Sequence, residues 1–330
     1  MLLSKILVYI ISYLGIFSST VFFISFFENL KQVKNPTPKR FPVVTIAVPA
    51  YNEEKTLSET VKSLMALDYP KDKLEIIVID DGSTDSTYRI AKSFEKRGVK
   101  VFTKPNTGKG SSLNFAISKS RGEIFGALDA DSFVNPDCLK KMVGYFDKPR
   151  IMAVTPSLKI FRPKGILQRI QAVEYMIGIY LRKVFGMLGS IHVTPGPFTI
   201  YRKRFFTKHG GYDENNITED IEIALRIQSK GYQIENSIDS SVYTVGPNTF
   251  RALSSQRKRW YVGFMDNLLR YKRLFSPSFG NLGVFVLPMS LIFVVMVVII
   301  CVNALVTYGV KFQQDFHNLM AVNFDILSLL

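Results

Sequence analysis

Two uncharged apolar stretches bracket this chain and limit what it can fold into. Residues 6–27 carry no charged side chain over 22 positions, and residues 283–310 carry none over 28. A helix needs roughly 20 apolar residues to cross a bilayer, so either stretch is long enough. A cleaved signal peptide is the rival reading of the first one. Its apolar run is too long for a signal core and lacks a small-x-small cleavage site, so an uncleaved anchor over residues 1–30 is expected. Lys and Arg near the ends set the orientation. Lys31, Lys34, Lys39 and Arg40 follow the first stretch, and only Lys5 precedes it. Arg270, Lys272 and Arg273 precede the second, and only Lys311 closely follows it. Both imbalances put residues 28–282 in the cytosol and the N-terminus outside, as in a multi-pass protein of the plasma membrane. Asn323–Leu330 turns apolar again, so residues 311–330 read either as an extracytoplasmic segment or as the start of a further span.

Residues 31–42 form a linker rich in Pro and Lys, and beyond it strand and helix patterns alternate. Val43–Val48 is a β-branched apolar run, and Glu53–Leu67 has helical spacing. Leu74–Ile79 repeats the first pattern, Thr84–Lys96 the second; Val99–Thr103 and Glu123–Leu128 are further strands around a helix at Lys109–Ser120. This alternation predicts an α/β domain over residues 43–275, with a Rossmann-like, mostly parallel sheet and helices on both faces. Residues 165–190 are helix-like and poor in charge. They read equally as core and as an interfacial helix whose basic residues face lipid headgroups.

The net charge of +15 is spread along the chain, with local clusters at 202–204 and 257–273. Positive flanks and attraction to anionic membrane lipid account for most of it, and no nucleic-acid-binding motif is visible. The two cysteines, Cys138 and Cys301, imply no disulfide framework, which fits a reducing compartment. His192, His209 and His317 are too scattered for a zinc site, so any metal must be held by oxygen.

In open α/β sheets, ligands bind beyond the carboxyl ends of the strands. Three polar clusters fall there: Pro49-Ala50-Tyr51-Asn52-Glu53-Glu54, Asp80-Asp81-Gly82-Ser83-Thr84-Asp85, and Asp129-Ala130-Asp131-Ser132. Each has a bland reading: Asn52, Ser83 or Thr84 as helix caps, Asp-Gly as a turn, Asp-x-Asp as a solvated strand end. Each also has a functional one. Tyr51 offers a flat surface to a base and Glu53 a nucleoside contact. A carboxylate at Asp80 or Asp81 would accept from the N–H of a uracil. Asp129 and Asp131 suit a hard cation shared with substrate phosphates. Asn106-Thr107-Gly108-Lys109-Gly110 opens a helix, either as a plain turn or with Lys109 at a nucleotide phosphate. Thr218-Glu219-Asp220 caps a helix at Ile221–Gln228 or supplies a general base. Gln256-Arg257-Lys258-Arg259-Trp260 contains the only tryptophan. It reads as a membrane-interface belt or as a sugar platform with Gln256 and Arg259 near a diphosphate.

In this order, the segments resemble glycosyltransferase family 2, over about residues 43–275. Gln256, Arg259 and Trp260 match the QxxRW motif of its processive members, the synthases of cellulose, hyaluronan, chitin and poly-N-acetylglucosamine. The resemblance implies a GT-A fold and inverting transfer from a nucleotide diphosphate sugar, a UDP-sugar above others. The acceptor would be a growing polysaccharide; the alternative is a single-sugar transferase acting on a lipid-linked or protein acceptor. It implies Mg²⁺ or Mn²⁺ at Asp129 and Asp131, which also bind the donor, and Asp220 as general base. Pro49, Tyr51, Glu53, Asp80 or Asp81, and Lys109 would hold the donor, and Gln256 and Arg259 would approach its diphosphate. Gly196, Pro197, Glu219 and Trp260 would meet the acceptor. Processive members carry several spans after QxxRW, whereas one complete apolar stretch and a possible fragment follow it here, so the chain is expected to be either a shortened member or one that needs a homo-oligomer or partner subunit to build an export channel.

Overall fold

A computed structural model describes residues 2–321, with side chains from residue 6. The chain divides into two compact units, residues 24–284 and the pair of segments 2–23 and 285–321. The predicted apolar end at Asn323–Leu330 lies outside the described residues.

The second of these units is built from helix α1 (Leu2–Glu28) and the chain's last helix (Leu287–Ala321). Within it, Phe285 packs edge-on against Phe17, ring centroids 6.1 Å apart. Tyr9, Tyr13, Leu305 and Tyr308 are all exposed. The segments Ile6–Glu28 and Leu282–Ala321 are long and apolar enough to cross a membrane. The last helix does not stop at Val310 with the uncharged run. Residues 311–321 contain no Gly or Pro, so the helix continues through Lys311 and Asp315.

The larger unit is a single eight-stranded sheet wrapped by helices. Strands β1 (Val44–Ala50), β2 (Leu74–Asp80), β3 (Lys100–Thr103) and β4 (Ile124–Ala127) alternate with α2 (Leu57–Met65), α3 (Thr87–Ser93) and α4 (Lys109–Lys119). There follow β5 (Ser132–Val134), α5 (Cys138–Val143), β6 (Ile151–Ile160), α6 (Gly165–Met187), β7 (Ile200–Arg202), α7 (Lys203–His209), α8 (Glu219–Ser229), β8 (Gln233–Thr244) and α9 (Phe250–Arg270). The final helix is then α10.

The strand order is β3-β2-β1-β4-β7-β6-β8-β5. Strands β1 to β4 pair in parallel, while β7 is antiparallel to both β4 and β6. The sheet is therefore mixed, as expected of a mostly parallel α/β core. Strands β1 and β2 are buried on both faces, as parallel strands covered by helices must be. The order reverses direction after β1, where the chain leaves for the sheet edge at β3 and returns to β4. The carboxyl ends of β1, β2 and β4 thus open onto one crevice.

Helix α6, within residues 165–190, has one face in the core and another exposed. Gln168, Gln171, Ile179, Lys183 and Val184 are buried. Ile166, Ile170, Val173 and Ile177 recur at helical spacing on an exposed apolar stripe.

Candidate active site

The loops after β1 and β2 are zipped together by reciprocal hydrogen bonds. Asn52 N donates to Ser83 Oγ at 3.0 Å, and Thr84 N donates back to Asn52 Oδ1 at 2.9 Å. Glu53 N donates to Thr87 Oγ1 at 2.7 Å, and Ser86 N to a Glu54 carboxylate oxygen at 3.1 Å. Asn52 and Ser83 therefore do not cap their own helices; they bond across to the neighbouring loop. Pro49 sits in β1 opposite Ile79. The interlock leaves Tyr51 projecting, 47% exposed, at the edge of the crevice. Glu53 accepts from Thr56 Oγ1 at 2.7 Å.

Asp80 and Asp81 are 2% and 4% exposed. Asp80 accepts from Thr103 Oγ1 at 2.9 Å and Ser83 N at 3.3 Å. Asp81 accepts from Thr107 N at 3.2 Å and Gly108 N at 2.9 Å, and pairs with Lys104. Burial alone pushes the Asp81 carboxyl up, but Lys104 and the two amides outweigh it and hold it below the usual carboxylate range. Both side chains fasten loops of their own chain. Gly108, at φ +93°, turns the loop so that its N–H meets Asp81, a conformation that costs most other residues energy.

That loop delivers Lys109. Its Nζ lies 2.7 Å from Asp129 Oδ1 and 3.2 Å from Glu219 Oε1, so one ammonium joins the end of β4 to the start of α8. Burial works against this charge, but Asp129, Glu219 and Asp220 outweigh it and keep it protonated. Gly196 lies against the same pair; a Cβ there would be 3.0 Å from Lys109 Nζ and 3.5 Å from Asp129 Oδ2. Pro197 follows it, half-buried.

The carboxylates that line the crevice behave oppositely to Asp81. Burial, then Asp129, pushes the Asp131 carboxyl up to about 6, only partly offset by the Ser132 hydroxyl. Burial, then Glu219, pushes Asp220 up to about 7 against the pull of Lys109. Asp220 keeps some surface open to the crevice. Its carbonyl is tied down by Thr194 Oγ1 at 2.7 Å, and its Oδ1 accepts from Ile221 N at 3.0 Å. A carboxyl near neutrality that is fixed in place is suited to proton transfer.

The donor set at Asp129 and Asp131 fits a hard divalent cation. Burial, then the neighbouring Asp129, raises the Asp131 carboxyl, a cost that a cation relieves. Among the described residues no cluster of three or more His, Cys, Asp or Glu side chains forms a full cage. The remaining ligands would be phosphate and water, the usual arrangement for Mg²⁺.

Helix α9 brings in the QRKRW segment. Gln256, Trp260, Gly263 and Asn267 share one face, and Gly263 and Asn267 pack on Thr218, next to Glu219 and Asp220. Gln256 Oε1 is buried and bonds no other described atom. Arg259 is exposed. Its neighbour Arg257, to which the sequence reading gave no role, stacks over Trp260 at 4.4 Å and pairs with Glu174 of α6 at 2.5 Å. Arg182 of α6 was also missed. Burial pulls its guanidinium down to about 10 while Tyr175 and Asp220 push it up.

The family profile described as glycosyl transferase family 2 matches residues 45–210, half of the chain. The chain belongs to glycosyltransferase family 2. It is 33% identical over 232 residues to the poly-β-1,6-N-acetyl-D-glucosamine synthase of Staphylococcus epidermidis, covering 69% of this chain and 56% of that one. The Staphylococcus aureus synthase is 32% identical over the same shares. This family 2 chain therefore spans about half the length of the curated relatives it matches. Among solved structures, the mannosyltransferase of Pyrobaculum calidifontis in complex with GDP-Man and Mn²⁺ superposes with a TM-score of 0.62 at 22% identity, over 79% of this chain and 75% of that one. S. aureus TarS 1–349 in complex with UDP gives 0.50 at 21%, over 68% and 64%. The fold is GT-A.

Proposed function

We propose that this glycosyltransferase moves a sugar from a UDP-sugar onto a growing polysaccharide, inverting the anomeric carbon, on the cytosolic side of a membrane that both apolar helices cross. One observation carries the reading: a single ammonium, Lys109, bridges Asp129 and Glu219, so the donor carboxylates and the candidate base share one crevice. The names of the 33% identical relatives support N-acetylglucosamine as the first sugar to try, and the TarS complex supports UDP. Cytosolic placement follows the Lys and Arg flanks.

In this reading Tyr51 and Glu53 meet the nucleoside, and Asp80 and Asp81 hold the loops that shape its pocket. Lys109 places positive charge where the diphosphate leaves. Asp129 and Asp131 would hold Mg²⁺ or Mn²⁺, which neutralises charge on a departing diphosphate when bound. Trp260 offers its ring to the acceptor sugar, and Gly196 and Pro197 leave the acceptor path open. Asp220 takes the proton of the acceptor hydroxyl as that oxygen bonds to C1. The C1–O bond to the diphosphate breaks on the opposite face, and its electron pair leaves with UDP.

The test is full-length protein in detergent with UDP-N-acetylglucosamine and Mn²⁺, reading UDP release and product size. A ladder of products that disappears in Asp220→Asn is expected. A product one sugar longer than its acceptor would replace the polymer reading with single transfer. Absence of UDP release from every UDP-sugar would overturn the proposal.

A further inference from the structure

Trp260 lies on α9 and Asp220 on the first turn of α8, so acceptor and base are aligned only as well as these two helices are joined. The joint is a knot of buried, uncharged polar groups. Asn267 is fully buried. The two hydrogens of its Nδ2 are shared among Thr218 Oγ1 at 3.0 Å, Asn216 Oδ1 at 3.2 Å and Gly263 O at 2.9 Å. Its Oδ1 accepts from Asn216 Nδ2 at 2.9 Å. Asn216 Oδ1 also takes the Thr218 N–H at 3.0 Å. At Gly263 a Cβ would stand 2.2 Å from Thr218 Oγ1, so the two helices touch where only glycine fits. One turn further along α8, Glu222 accepts from the Tyr271 hydroxyl and pairs with Arg226 at 3.0 Å. Pinning at Thr218 and again at Glu222 fixes both the register and the rotation of α9.

Two features separate this knot from ordinary packing. Thr218 occupies the N-cap position of α8, yet its hydroxyl caps no helix amide and is directed to Asn216 and Asn267 instead. Gly263 and Asn267 also follow Gln256 and Trp260 on one helical face, so a shift at the knot moves the platform directly.

We infer that Thr218, Gly263 and Asn267 form a positioning clamp that sets the acceptor platform in register with Asp220 and thereby favours a sugar over water as acceptor. This rests on the proposed function. Attack by water needs Asp220 and the donor pocket but no platform. Attack by a sugar needs the platform as well, and misplacing reactants by about 1 Å costs on the order of 100-fold.

The experiment uses full-length protein in detergent with UDP-N-acetylglucosamine, with and without an N-acetylglucosamine oligosaccharide. It reads transfer, donor hydrolysis and UDP binding. In Thr218→Val and Gly263→Ala we expect transfer to fall by roughly 100-fold through kcat and acceptor KM. Hydrolysis and UDP affinity should remain, and Thr218→Ser, which keeps the hydroxyl, should restore the wild-type ratio. Equal losses of transfer and hydrolysis would overturn the clamp, as would an unchanged ratio in Thr218→Val or failure of Thr218→Ser to rescue. Wild-type protein that releases no UDP under either condition would instead overturn the underlying reading, and the clamp's role with it.

Discussion

The two sides of the crevice use the same side chains for opposite ends. On the β1–β3 side, Asp81 and Asp85 are surrounded by donors from their own chain, and their carboxyls sit below the usual range despite some burial. On the β4–α8 side, Asp131 and Asp220 are half-buried, and desolvation followed by the neighbouring acids lifts them well above it. A carboxylate whose lone pairs are taken by loop amides can do little chemistry. One held beside like charges gains from a proton or a cation. The difference teaches that acidic motifs of similar appearance divide into fasteners and reagents according to their partners.

The sharpest way to break this comparison is Asp220→Asn. Loss of a general base lowers transfer by roughly 10²–10⁴-fold, read as kcat with UDP affinity unchanged. The same variant should be more stable than wild type at pH 8. The folded-state pKa of Asp220 is raised to about 7, so ionising it costs stability as pH rises from the ordinary carboxylate range through 7. An amide escapes that cost. A lower melting temperature for Asp220→Asn at pH 8 would place Asp220 among the fasteners.

The pH profile comes next. The carboxylate is the acting form, so transfer rises with pH through about 7 and then levels. Between pH 7 and pH 5, kcat/KM should drop roughly 50-fold, following the fall in the ionised fraction of one such group. A flat profile across that window would contradict the assignment.

Asp81→Asn tests the other side. It removes the partner of Lys104 and weakens two amide bonds, so about 1–3 kcal/mol of stability should go, read by thermal melting. Donor KM should rise because Lys109 loses its anchor. An effect on kcat alone would move Asp81 to the reagent side.

How much of this was legible in the sequence follows the same division. Strands β1, β2 and β4 and helices α2 to α4 were readable because β-branched runs alternate with helical spacing, and the polar clusters end those strands. Strand β8 was not. Its pattern interleaves Glu235, Asn236, Asp239 and three serines, of which Asn236 Nδ2, Ser237 and Ser240 bond to β6, the linker and α5; periodicity carries no trace of such partners. Motif letters marked Asp81 and Asp131 alike, because pKa depends on neighbours brought in from other elements. Arg257 was given no role for a related reason: its place over Trp260 is visible only with Glu174 of α6 beside it. The clamp left one signal unused, the spacing of Gln256, Trp260, Gly263 and Asn267 along α9.

The smallest expected effect lies at that arginine. The Arg257 guanidinium is a quarter exposed and Glu174 about half, so the ion pair gives little, and stacking on Trp260 adds about 0.5–1 kcal/mol. Arg257→Gln should therefore barely change the melting temperature. Its use is in the acceptor. With the guanidinium gone, one face of Trp260 loses its cover and the ring gains freedom to turn, so acceptor KM should rise a few-fold while donor KM and hydrolysis hold. If donor KM rises instead, α9 contributes to the diphosphate side through Arg257, and the boundary between donor and acceptor halves shifts by one residue along the helix.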